Sequence, residues 1–227
     1  IKMKIKLLSG LMCIAAFFVL TTNVCHAQNS DIVKDGAKLI LVSNEYKFTE
    51  GPAVDKNGDV YFTDQPNNRI VKWEASTNTV SDWLKPAGRS NGLYFDHDGN
   101  LLSCADEKNE LWLIDKNKNV RVLLSNFEGK LFGGPNDLWV DPNGGIYFTD
   151  PLYEREWWTP TNKRIEERRV YYVTPNKSEV LVVAEGNYEQ PNGIIGSADG
   201  KTLYVADNGA KKTYSFSIDR KSTRLNS

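Results

Sequence analysis

Histidine is almost missing from this chain: 227 residues contain two, His26 and His97. Cysteine is nearly as scarce, at three, and Cys13 and Cys25 both fall within the first 27 residues. With so little imidazole and thiol, no histidine-based acid/base pair, nucleophilic triad or zinc site of nitrogen and sulfur ligands can be assembled. Long apolar runs are missing as well. The one candidate, Leu7 to Leu20, is short of the ~20 residues a membrane-spanning helix needs, so no membrane span is expected. Nor does any segment carry the pattern of a long amphipathic helix.

The apolar run follows Lys2, Lys4 and Lys6 and precedes a small, polar stretch ending at Ala27. This is the layout of a secretory signal peptide starting at Met3, and residues 1–27 are predicted to be removed after Ala27. Lipid attachment at Cys25 is the alternative, although the preceding Thr22-Asn23-Val24 lacks the usual residues of such a site. The expected product is a secreted, periplasmic protein of residues 28–227. The three lysines leave with the leader, so 25 basic residues face 29 acidic ones. That balance gives no support to a nucleic-acid partner. Cys104 alone remains, in the apolar stretch Leu101 to Ala105, and is read as a buried small hydrophobe that cannot form an internal disulfide.

What the sequence does contain is a repeat. Glu50–Asp64, Asn91–Asp106, Asn136–Asp150 and Asn192–Asp207 share one grammar: an apolar run, a turn on Asn-Gly or Asp-Gly, and a second apolar run closed by Asp. Each predicts a tight β-hairpin. Further strand-like pieces follow, such as Arg69 to Trp73, Val120 to Leu124 and Glu179 to Ala184. Four short strands per unit, recurring every 40 to 60 residues or so, are the mark of β-propeller blades. The fold is therefore predicted to be all-β, with about four blades in this fragment. Residues 221–227 show no strand pattern and read as a tail foreign to the repeat. The extra length at Leu152–Arg169, with Trp157 and Trp158, predicts a loop that is either a solvated surface segment or a cover over one face.

In a propeller the innermost strands line the axial channel, so Glu50, Asn91, Asn136 and Asn192 should face one small volume. One carboxylate among amide oxygens suits a hard divalent cation such as calcium. The competing reading is that Asn or Glu before Gly merely shapes the turn into the strand. Turn chemistry, however, requires neither Glu in the first copy nor Asp137 in the third. The closing residues Asp64, Asp106 and Asp207 read as turn or packing groups. Asp150, followed by Pro151 and Tyr153, is the exception to watch.

Phe48-Thr49-Glu50-Gly51-Pro52, Gly134-Pro135-Asn136-Asp137, Phe148-Thr149-Asp150-Pro151 and Gln190-Pro191-Asn192-Gly193 together resemble the family of gluconolactonase, senescence marker protein (regucalcin) and luciferin-regenerating enzyme. The resemblance, from about Val42 to Asp219, implies a six-bladed propeller holding Ca2+, or another divalent cation such as Zn2+, Mg2+ or Mn2+. It implies metal ligands Glu50, Asn136 and Asn192, with Asn136 also catalytic through contact with substrate, and Asn91, Asp150 and Tyr153 binding substrate. It further implies hydrolysis of a small-molecule sugar lactone. The proton-accepting Asp of the family should follow Asp219, so this fragment is expected to be inactive without it. An arginine that some members place two residues before the third-blade Asn is Gly134 here, which favours the bacterial gluconolactonase branch. A non-catalytic propeller that binds a ligand or a protein partner is the alternative. A strictosidine-synthase-like or paraoxonase-like propeller would show different channel residues.

Overall fold

A computed structural model describes residues 34–158, 163–186, 188–218 and 225–226. The predicted leader, its cleavage position, Cys25 and Asp219 lie outside the described residues. The chain divides into residues 1–42, of which the described part is exposed and has one turn at Asp35-Gly36, and the unit Ser43–Ser227. The larger unit is four antiparallel sheets in a propeller arrangement, each with its strands in chain order.

Blade one is β1 (Thr49–Val54), β2 (Val60–Asp64), β3 (Arg69–Glu74) and β4 (Thr79–Leu84); blade two is β5 (Ser90–Phe95), β6 (Leu101–Ala105), β7 (Glu110–Ile114) and β8 (Val120–Leu124). Blade three is β9 (Leu138–Val140), β10 (Ile146–Asp150), β11 (Arg169–Val173) and β12 (Val180–Glu185). Blade four is β13 (Pro191–Gly196), β14 (Thr202–Asp207), β15 (Lys212–Ile218) and β16 (Leu225–Asn226). The last strand departs from the sequence reading of residues 221–227. Leu225 and Asn226 pair with Ile218 and Ser217 although two residues are too few to show a period.

The hairpins are closed from their first residue. Asp55 Oδ1 accepts from the amides of Asn57 (2.8 Å) and Asp59 (3.1 Å). Asp96, Asp115 and Asp141 each repeat this pair of bonds two and four residues on. These are Asx turns, in which a short carboxylate supplies the acceptors that the chain reversal would otherwise leave to water.

Apolar residues alternate along the strands and fill three seams between neighbouring blades. Ala53, Tyr61, Leu93 and Leu101 pack between blades one and two, and Trp139, Tyr147, Ile194 and Leu203 between blades three and four. The middle seam holds Phe132, Leu138, Phe148 and Tyr171, with the Phe148 and Tyr171 rings stacked at 5.0 Å. Cys104 is fully buried in the same seam.

At the axis the blades are joined by hydrogen bonds. The Thr63 hydroxyl donates to Asn91 O of the next blade (3.1 Å), and the Thr149 hydroxyl donates to Asn192 O (2.6 Å). Between blades two and three the amide of Gly92 donates to Asn136 O at 2.7 Å. Thr149→Val would keep the side-chain shape and leave the Asn192 carbonyl without this donor. Its expected cost is about 1–3 kcal/mol of unfolding free energy, read as a lower urea midpoint at unchanged slope.

Candidate active site at the blade axis

The inner strands do not run evenly into the axis. The register of β1 against β2 slips between Glu50 and Ala53, that of β5 against β6 between Ser90 and Leu93, and that of β13 against β14 between Pro191 and Ile194. Glu50, Asn91 and Asn192 therefore sit at one equivalent bulge in three blades. A bulge breaks the strict alternation of side chains and re-aims the residue it contains. In blade three, Asn136 and Asp137 precede β9 and still bond to Thr149 through backbone amide and carbonyl.

Glu50, Asp137 and Asn192 border one cavity of about 480 Å³, with Tyr94 and Tyr204 among its apolar walls. Glu50 is half-buried and accepts from the amide of Gly51 at 3.3 Å. The amide nitrogen of Asn192 donates to the Tyr153 hydroxyl at 3.1 Å. Asn136 and Asn91 are buried, and Asn91 Oδ1 has no hydrogen-bond donor among the described residues. A buried acceptor without a donor costs about 1–3 kcal/mol unless something else satisfies it. Among the described residues no three His, Cys, Asp or Glu side chains gather into a metal-holding group. The axial set differs in kind: one carboxylate among amide oxygens. Its oxygen donors and the orphaned Asn91 acceptor fit a hard divalent cation.

Asp137 was noticed in the sequence only as a residue that turn chemistry did not need. It stands where Gly51, Gly92 and Gly193 stand in the other blades. Its carboxylate accepts from Leu138 N (2.9 Å) and from Ile194 N across the blade boundary (3.1 Å). A Cβ at Gly92 would lie 2.5 Å from Asp137 Oδ1, so the glycine makes room for the acid. Burial, with the Glu50 charge adding to it, pushes the Asp137 carboxyl up to about 6.

The closing Asp residues hold the segments that lead into the inner strands. Asp64 accepts from the amides of Lys47 and Phe48, and Asp207 from those of Glu189 and Gln190. Asp150, fully buried, accepts from Gly133 N at 2.8 Å, three residues before Asn136. Burial lifts its carboxyl to about 7. Asp106 does something else: its Oδ2 accepts from Gln65 Nε2 (3.0 Å) and from Arg155 Nε (2.7 Å). This contact brings the long loop down toward the axis, and Tyr153 on the same loop reaches Asn192. Nothing in the sequence pairs Asp106 with Arg155, although the extra length of the loop and its Trp157 and Trp158 are visible there.

Residues 48–227 match the SMP-30/gluconolactonase/LRE-like region. The chain belongs to that family. It is 29% identical over 197 residues to a gluconolactonase of Zymomonas mobilis, covering 79% of this chain and 54% of that protein. The solved gluconolactonase of Xanthomonas campestris aligns with a TM-score of 0.74 and 25% identity, over 82% of this chain and 63% of that one. A calcium-binding regucalcin from Agrobacterium tumefaciens shares the fold at a TM-score of 0.60 and 19% identity, over 80% and 58% of the two chains. The chain thus spans about half the length of its Zymomonas relative.

The elevated Asp150 value sets a pH dependence. An acid whose folded value lies above its unfolded value near 4 binds its proton more tightly when folded. Its contribution to stability is complete below about pH 4 and is lost as pH rises through about 7. Urea unfolding of Asp150→Asn across that window is expected to show a smaller fall in stability with rising pH than the parent chain.

Proposed function

We propose that the protein is a metal-dependent lactonase, hydrolysing a sugar lactone such as gluconolactone to its hydroxy acid within a six-bladed propeller. The observation that carries this reading is the repeated bulge that brings Glu50 and Asn192 to one cavity, in a chain of the gluconolactonase family. Glu50, Asn136 and Asn192 would hold the cation. Calcium is the first choice, with Zn2+, Mg2+ or Mn2+ as alternatives, because carboxylate and amide oxygens are hard donors. When bound, it supplies a Lewis acid that polarises the ester carbonyl and offsets the charge growing on its oxygen.

The chain's own groups position the reactants around that centre. Asn136 would contact both cation and substrate, and Asn91, at the equivalent position of blade two, would bind substrate beside it. Tyr153, hydrogen-bonded to Asn192, would meet the substrate from the loop side. Asp150 acts on this arrangement through Gly133, fixing the approach to Asn136. A secreted, periplasmic location accords with the N-terminal pattern, and no described helix is long and apolar enough to cross a membrane.

Hydrolysis of gluconolactone and a panel of sugar lactones by the full protein, followed by acid release at constant pH, tests the reading. Chelation is expected to stop the reaction and calcium to restore it. Glu50→Gln is expected to lower kcat/KM by about 10- to 100-fold, the usual cost of a disturbed metal site. No turnover across the panel with metal supplied would overturn the lactonase and favour a propeller that only binds a ligand or partner.

A further inference from the structure

Two arginines converge on one indole of the long loop between β10 and β11. Arg89 lies over the Trp157 ring at 4.6 Å from its centroid, and Arg155 lies 5.9 Å from the same centroid. Arg155 also lies over the Tyr153 ring at 5.5 Å, and the Tyr153 hydroxyl contacts Asn192 at the axis. The pair is therefore linked to the axial site by direct contacts. Both arginines are half-buried, and Trp157 is 40% exposed, so the cluster faces solvent at one side.

Each arginine is held from behind. The Arg155 Nε donates to Asp106, which is 1% exposed, and no hydrogen bond to its two terminal nitrogens exists among the described residues. Arg89 has a φ of +49°, in the left-handed region that non-glycine residues seldom adopt. Its amide is pinned by Asn68 Oδ1 at 2.8 Å. The Arg89 side chain makes no ion pair or hydrogen bond among the described residues, although its charge acts on the buried Asp106 that Arg155 binds. Glu154 and Glu156, on the same loop, are exposed. Two guanidinium groups that share one buried carboxylate keep net positive charge and open N–H edges among the described residues, which suits an anionic ligand better than packing alone. Planar guanidinium groups with free N–H edges match a carboxylate.

We propose that Arg89 and Arg155 bind a carboxylate carried by the substrate, so that the enzyme selects aldaric-type lactones over neutral aldonolactones. This rests on the lactonase reading for its catalytic consequence, but the anion site can be measured without turnover.

Glucaro-1,4-lactone has a free carboxylate that glucono-1,4-lactone lacks. The full protein is expected to favour the former in kcat/KM, less strongly as salt rises. Arg89→Gln should reduce that preference by about tenfold, the scale of one charge-assisted hydrogen bond, while Arg89→Lys retains most of it. Arg89→Gln is the chosen variant because removing Arg155 would leave Asp106 buried without its cation. Calorimetric titration with glucarate and with neutral glucitol reads binding alone. Glucarate binding that exceeds glucitol binding and drops about tenfold in Arg89→Gln supports the site, even if no lactone is hydrolysed and the lactonase reading fails. Equal binding of the two, no binding of glucarate, or a preference that survives Arg89→Gln overturns it.

Discussion

The hydrogen bond to an inner-strand carbonyl across each blade boundary, from a threonine hydroxyl at two of them and from the Gly92 amide at the third, is the contact on which the axis depends. Thr63 and Thr149 tie the carbonyls of Asn91 and Asn192 to the preceding blade, so the backbone that carries a site residue is held by its neighbour. A bulge frees a residue from the strand's alternation but also leaves polar groups without ladder partners. The threonine hydroxyls satisfy carbonyls at those positions. Aiming a side chain inward and joining two blades are thus one arrangement.

Behind this axis the closing carboxylates perform a second task. Asp64, Asp150 and Asp207 clamp the chain two or three residues before Glu50, Asn136 and Asn192. In blade two, Asp106 is instead engaged by Gln65 and Arg155. The blade with the odd carboxylate is therefore the blade that recruits the long loop. Both unusual acids, Asp137 and Asp106, occur where the repeat departs from its own rule.

Much of this was legible in the sequence. The hairpins showed because turn residues and apolar alternation recur at a fixed offset, and the strand Val120–Leu124 begins and ends where the pattern placed it. The shared position of Glu50, Asn91, Asn136 and Asn192 was visible for the same reason. The bulges were not, since a register slip is a property of two strands and leaves no mark on one. Asp137 could be seen as a break in a column of glycines, but its bond to Ile194 could not. The Asp106–Arg155 contact joins residues 49 apart through a loop with no period at all. Short-range rules have no access to such a pair.

The glycine column also limits how a protein of this design can change. A side chain at Gly51 would meet the Asn91 backbone oxygen at 2.4 Å, and one at Gly92 would meet Asp137. Mutation cannot readily explore new chemistry there without moving a neighbouring blade. The segment between β10 and β11 is held at fewer points, through Tyr153, Arg155 and the buried Ile165, and its length between those anchors is not fixed by the inner strands. Diversification of such a scaffold would therefore be concentrated in its loops, with the axis inherited nearly intact.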